Sequence, residues 1–386
     1  MTIQVDREKI LRLASSLVRM PSENPPGNEA EVADYLELEM KKLGFKIFRY
    51  DFKPGRPNLI GHLKAGDGRT IIFDGHMDTV PAGNPDLWID KDPFSGEIIE
   101  GKLYGRGSAD MKSSIAAFIS AVKTVLDKSE LEGEVLVFLV SDEEASGMGT
   151  KDILSRGYTG DMAVVGEPTG LNVMIAHKGV ARWRLATFGK SAHSSSPEKG
   201  VNAIYKMVNA CLEIKRYSEE LRTKKHFLLG SPTLSINMIR GGEKDNVIPD
   251  LCEASIERRL IPGEKLEDVE SDLINILEGV KERDEEFQYK LQRCQYIPPS
   301  LIEPDAEAVQ LMKKAVKEVM GIEPKVLGFN ATCEMIHLVN GGVPTVIFGS
   351  GKLEQAHRIN EYVEVDEIVK AAEIYARLII NATKRG

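Results

Sequence analysis

Apolar residues recur three and four positions apart at Ile10, Leu13, Ala14 and Leu17, which predicts an amphipathic helix near the start of the chain. A second helical pattern opens near Asn28 and runs through Val32, Leu36 and Met40 to a stop at Gly44. The period then changes. Short apolar runs at 46–50, 58–63 and 70–73, each bounded by glycine or aspartate, read as strands, and so does the most apolar run, 134–140. Residues 111–126 predict a helix between them. After residue 300 the alternation returns as helix 305–320, strand 344–348 and helix 366–380.

The middle of the chain has its own order: strand 181–187, helix 202–217, strands 233–239 and 252–260, helix 266–280 and strand 287–292. The pattern predicts an α/β protein. A catalytic domain with a mixed sheet between helices, formed by 1–179 and 295–386, is interrupted by a ferredoxin-like βαββαβ insert at 180–294.

Length agrees with that division, since 386 residues exceed what one hydrophobic core usually organises. A formal net charge of -9, without a compensating block of Lys and Arg, argues against nucleic acid or an anionic membrane as a partner. The four cysteines, Cys211, Cys252, Cys294 and Cys333, form no CxxC pair and fit a reducing compartment. The N-terminal residues carry no apolar signal region, and no run approaches the roughly 18 apolar residues of a membrane span. A cytoplasmic enzyme is the expectation.

The candidate chemistry lies just after the predicted strands, where loops at the edge of an α/β sheet build active sites. Asp74-Gly75-His76-Met77-Asp78 follows the 70–73 run and pairs an imidazole, the commonest metal ligand, with a carboxylate able to fix its tautomer. Gly105-Arg106-Gly107-Ser108-Ala109-Asp110-Met111-Lys112 is a tight loop ending in an aspartate that also reads as a helix N-cap. Ser141-Asp142-Glu143-Glu144 follows the most apolar strand, where neighbouring carboxylates either meet cations, shift their pKa values or face solvent. Glu167 follows 162–165, and His357 follows the Gly349-Ser350-Gly351 loop.

In this order His76-x-Asp78, Asp110, Glu143-Glu144, Glu167 and His357 resemble the metallopeptidase family of acetylornithine deacetylase, succinyl-diaminopimelate desuccinylase, aminoacylase and the glutamate carboxypeptidases. The likeness covers nearly the whole chain and includes Gly189-Lys190-Ser191-Ala192-His193-Ser194, Arg259-Leu260-Ile261-Pro262-Gly263 and the Asn360-Glu361 pair behind His357. It implies two divalent ions, zinc foremost, with cobalt and manganese as substitutes. His76 and Glu167 would hold one ion, Glu144 and His357 the other, and Asp110 both. It further implies Glu143 as general base and Asp78 as the group orienting His76. His193 and Asn246 would stand at the developing oxyanion, His193 reaching from a partner subunit. Arg259 and the backbone of Gly349 and Gly351 would hold a substrate carboxylate. The insert becomes a lid and homodimer contact, and the substrate a small N-acyl amino acid losing an acetyl or succinyl group. The chain departs from the family pattern at Thr332-Cys333 and at Glu257.

Rival readings are a dipeptidase or carboxypeptidase using the same chemistry, a binding protein on a dead scaffold, and a phosphoester-cleaving enzyme. The dead scaffold is opposed by the full set of ligand and base positions, the phosphoesterase by the absence of a basic pocket. Gly96 to Lys102 has P-loop spacing, but Leu103 stands where Ser or Thr is required. Neither a GxSxG elbow nor an HExxH helix occurs. His62, His177, His226 and His337 read as structural or surface residues.

Overall fold

The computed structural model describes residues 3–128 and 130–384. They fall into two units: Met1–Ile175 with Ile302–Leu327 and Cys333–Gly386, and Ala176–Leu301 with Gly328–Thr332.

In the first unit, strand Glu134–Val140 is buried at every position after the first, which is why its sequence is a continuous apolar run rather than an alternation. It lies parallel to Thr70–His76, which in turn lies parallel to Met162–Val165, and Thr345–Ile347 extends this parallel core. Antiparallel strands flank the core. Arg56–Lys64 pairs with Glu134–Val140 and Lys46–Lys53 with Arg56–Lys64, while Met174 pairs with Ile347 on the opposite side. The sheet is therefore mixed, and its parallel core ends every strand at the same edge.

Helix Ser113–Asp127 and helix Val365–Ala382 are joined to the sheet through aromatic rings. Phe73 stacks on Phe118 with centroids 4.3 Å apart, and Tyr375 meets both edge-on at 5.7 and 5.5 Å. All three are fully buried, and such rings each contribute about 2–3 kcal/mol through burial. This cluster lies beneath the strand that ends in His76.

Residues 108–112 differ from the expected helix start. Asp110 (φ -124°, ψ 95°) and Met111 (φ -134°, ψ 27°) are not helical, and the helix begins at Ser113 with Lys112 at its N-cap. The N-cap reading of Asp110 is thus replaced by a buried loop position. Helices Gly149–Ser155 and Met335–Asn340 were not predicted, and neither was the small sheet of Ile98–Ile99, Lys102–Tyr104 and Tyr362–Glu364. Each is too short to show a period.

The second unit is a four-stranded antiparallel sheet in the order Thr233–Gly241, Leu251–Leu260, Gly179–Phe188, Gln288–Ile297. Strand Leu251–Leu260 alternates strictly, burying Cys252, Ala254, Ile256, Arg258 and Leu260. Cys252, Ala254, Ile256 and Leu260 pack with Met207, Ala210 and Ile214 of helix Ala203–Glu220, and with Val269, Leu273 and Leu277 of helix Leu266–Arg283. Compared with the expected 180–294, this unit also takes in Gly328–Thr332. The Phe329 carbonyl accepts from the Lys178 N–H at 3.3 Å, and the Thr332 hydroxyl donates to the Lys178 carbonyl at 2.8 Å. Among the described residues, no helix is long and apolar enough to cross a membrane.

Candidate metal centre

The carboxyl end of strand Thr70–His76 delivers His76 into a fully buried position. Its Nδ1 lies 2.8 Å from the Asp78 carbonyl, an acceptor, so Nδ1 carries the hydrogen. In the neutral ring Nε2 is then a bare lone pair. It faces carboxylate oxygens, Asp110 Oδ1 at 3.0 Å and Glu167 Oε1 at 3.8 Å. Lone pairs at that separation require a proton or a cation between them. Burial lowers the affinity of His76 for a proton, yet the carboxylate of Asp110 raises its pKa well above the ordinary value.

His357 repeats the arrangement from another loop. Its Nε2 is 3.1 Å from Glu144 Oε1 and 3.4 Å from Asp110 Oδ2, and these carboxylates push its pKa up to about 11. Asp110 is common to both groups. Burial works against its ionisation, but hydrogen bonds from His357 and His76 hold its carboxyl well below the usual range. Ligand atoms of His76, Asp110 and Glu167, and likewise of Asp110, Glu144 and His357, lie within 4.8 Å of one another. Two imidazoles and three carboxylates form a nitrogen and oxygen donor set that fits zinc, cobalt or manganese.

Glu143 stands next to both groups. Burial, and then the Glu334 carboxylate, raise its pKa well above the ordinary glutamate value. The Ser141–Glu144 turn that carries it is held from three sides. Asp78 accepts the backbone N–H groups of Glu143 and Glu144, both at 3.2 Å, and the Asn24 amide at 2.8 Å. Asp142, at φ 74°, is bound by Arg56, Lys53 and Ser146. Arg56 also binds the buried Glu29, and Gly27 leaves room for it, since a Cβ there would lie 2.1 Å from Arg56 Nε.

Two expectations need correcting. The contact from Asp78 to His76 is made by its backbone carbonyl, while its carboxylate, 3.8 Å from Nδ1, holds the Glu143–Glu144 backbone instead. Gly349 and Gly351 do not present free N–H groups for a substrate carboxylate. Gly349 N–H donates to Thr169 Oγ1 at 3.2 Å, Ser350 N–H to Ser114 Oγ at 3.2 Å and Gly351 N–H to Glu367 Oε2 at 2.9 Å. Their carbonyls accept from Leu171 and Gly170, so this loop braces the segment that follows Glu167. A Cβ on Gly349 would lie 2.5 Å from the Gly166 and Glu167 carbonyls, which explains the glycine.

Within the second unit, His193 is exposed on a two-residue strand and its Nδ1 is bonded to Ser195 Oγ at 2.8 Å. Asn246 is brought to it, accepting the Ser194 N–H at 3.0 Å. Arg259 donates to Glu257 at 2.9 Å and to the Thr332 hydroxyl at 3.3 Å.

Sequence reasoning gave no role to Glu334 or Glu361, both buried. Glu334 joins Glu143 and Glu167 in a third close group, and its pKa is pushed up to about 7 by burial. Its only sequence signal was its place directly after Thr332-Cys333. Glu361 is bonded to the Asp110 loop, and its signal was the Asn360-Glu361 pair behind His357.

The model of the peptidase family M20/M25/M40 matches residues 72–381. The chain belongs to this family. Acetylornithine deacetylase of Proteus mirabilis is 32% identical to it over 92% of this chain and 90% of the relative. N-formyl-4-amino-5-aminomethyl-2-methylpyrimidine deformylase of Halalkalibacterium halodurans is 29% identical, covering 95% and 93%. Among solved structures, an M20 family metallo-carboxypeptidase from Sulfolobus solfataricus superposes with a TM-score of 0.82 at 22% identity, covering 97% and 99% of the two chains. Likeness at that identity speaks for the fold, a catalytic domain with a lid domain. M20/M25/M40 membership makes the chain an amidohydrolase, and family metallopeptidases use divalent metals.

The brace on the Ser141–Glu144 turn is testable. Arg56→Met would leave the buried carboxylates of Glu29 and Asp142 without their guanidinium, at a cost of about 3–5 kcal/mol. Denaturant unfolding should show that loss, and a change below about 0.5 kcal/mol would contradict the assigned brace.

Proposed function

We propose that the chain is a two-metal deacylase that removes a small acyl group, acetyl foremost, from the nitrogen of an amino acid. The observation that carries this reading is the pair of imidazole Nε2 atoms beside a shared buried carboxylate, Asp110, with Glu143 close to them. His76 and Glu167 would hold one ion, Glu144 and His357 the other, and Asp110 both. Bound ions would supply Lewis acidity, polarising the acyl carbonyl and making water a nucleophile near neutral pH. Glu143 would take a proton from the attacking water and return it to the leaving nitrogen. Asp78 keeps the Glu143–Glu144 backbone in place.

Arg259 is assigned to the substrate carboxylate and His193 with Asn246 to the developing oxyanion, in line with the family likeness. The acyl group is the variable part. One relative is named for an acetylated amino acid and another for a formylated aminomethylpyrimidine, and a dipeptidase is the second reading, since several structural neighbours are peptidases. Four cysteines without a disulfide among them support a reducing, cytoplasmic setting.

A homodimer through the insert is supported by its surface. Tyr205, Val208 and Leu212, 69%, 44% and 52% exposed, form one face of helix Ala203–Glu220. Thr233–Gly241 is an edge strand bearing exposed Met238 and Ile239. Sedimentation should give a dimer that Tyr205→Glu with Leu212→Glu converts to monomer; a wild-type monomer at micromolar concentration would remove this assignment.

The activity is tested by hydrolysis of N-acetyl-ornithine, N-acetyl-lysine, N-succinyl-diaminopimelate, N-formyl amines and dipeptides with zinc or cobalt. Glu143→Gln should keep its metal and lose at least about 100-fold in turnover. Turnover of dipeptides alone would favour the peptidase reading, and an active Glu143→Gln variant would exclude the general-base role.

Metal loading should also release protons. Without metal the carboxylates hold His76 and His357 protonated at neutral pH, and a ligand imidazole must be neutral, so the apparent metal affinity rises with pH. Calorimetry at pH 7 in buffers of different ionisation enthalpy should show net proton release, and the absence of any buffer dependence would contradict the ligand assignment.

A further inference from the structure

Glu361 is fully buried and is not one of the proposed metal ligands, yet its carboxylate spans two loops that each deliver one. Oε1 accepts the N–H groups of Ala109 at 2.8 Å and Asp110 at 3.1 Å. Oε2 accepts Arg106 Nη1 at 2.6 Å, and the Glu361 carbonyl accepts the Gly105 N–H at 3.0 Å. Residues 105–110 are therefore fastened to Glu361 at both ends, and Asp110 is one of the fastened residues.

His357 lies four positions before Glu361 on the same strap. His357 and Asn360 both adopt left-handed backbone, φ 63° and 59°, a conformation that costs a non-glycine residue about 1–2 kcal/mol. The strap is anchored against that cost, with Asn360 Oδ1 accepting the Ile89 N–H at 2.7 Å alongside the Glu361 bonds. Arg106, which completes the ion pair, is itself 3% exposed and stacks over Trp88 at 5.2 Å. The Glu361 carboxylate thus has a rigid cation on one oxygen and the Asp110 backbone on the other.

We propose that Glu361 is a positioning residue that sets the distance between Asp110 and His357, and thereby controls loading of the Asp110, Glu144 and His357 group in preference to the His76, Asp110 and Glu167 group. The inference rests on the two-metal reading above. His76 and Glu167 are carried by strands of the parallel core or the residues directly following them, and so depend far less on the strap. The side chain of His357 is 52% exposed, and among the described residues its polar partners are Asp110 and Glu144.

The test uses the full chain, stripped with chelator and titrated with cobalt(II), followed by visible absorption and by metal analysis after desalting. Wild type should take up two ions. Glu361→Gln keeps the size and one acceptor but loses the charge opposite Arg106. It should bind the first ion as wild type does and the second at least about tenfold more weakly, the range seen when a group supporting a metal ligand is removed. Glu361→Asp, one methylene too short to reach both Arg106 and Asp110, should show the same split, and raised cobalt should restore turnover in both variants. Equal weakening of both ions, or unchanged binding with only a lower unfolding temperature, would overturn the proposal. Wild type binding fewer than two ions would instead overturn the two-metal reading on which it rests.

Discussion

The first unit is organised around an electrostatic problem: Asp110, Glu143, Glu167 and Glu334 are brought together in a buried region at the carboxyl edge of a parallel sheet. Two unit charges about 4 Å apart in such surroundings repel by about 4 kcal/mol at an effective dielectric of 20. Several such pairs exceed the local preferences of any single loop. The gathering persists where protons are taken up by Glu143, Glu167 and Glu334, where positive charge enters on His76 and His357 or as metal ions, and where the loops are tied down by bonds that do not depend on the site itself. Asp78 on the Glu143–Glu144 backbone, Arg56 on Asp142 and Glu361 on the Asp110 loop are those ties.

This explains which parts of the molecule could be read from the sequence. The core strands were legible because full burial turns them into uninterrupted apolar runs, and the insert was legible because its strands alternate, as Leu251–Leu260 does. Order along the chain, together with a likeness to a known family, pointed to His76, Asp110, Glu143, Glu144, Glu167 and His357, and the structure brings them together. The ties were not legible. Asp110 looked like a helix cap because aspartate before a helix ordinarily is one, and only the three-dimensional position of Glu361, 251 residues further on, shows what fixes that loop. Arg56 and Asp142 are 86 residues apart and carry no local pattern.

The glycine loop shows the same limit from the opposite direction. The family likeness implied that the Gly349-Ser350-Gly351 backbone holds a substrate carboxylate, whereas its N–H groups are engaged by protein. Thr169, Ser114 and Glu367 occupy the three N–H groups. The loop's effect on chemistry is therefore indirect, through the segment following Glu167.

With the glycine-loop donors engaged, Arg259 is the remaining member of the proposed pair, and it is not free either. Its Nε is bonded to Glu257, whose own carboxyl is held low, against its burial, by Arg182 and Arg259. An incoming carboxylate that takes a bidentate hold on Arg259 would displace the Thr332 hydroxyl before it displaces Glu257, because a neutral hydroxyl at 3.3 Å is the weaker partner and Glu257 is retained by charge. The departures from the family pattern at Glu257 and Thr332 thus fall on the two hydrogen-bond partners of Arg259. On the proposed reading, the acidic centre would select the bond that is cleaved, and the competition for Arg259 is where selectivity among N-acyl amino acids would arise.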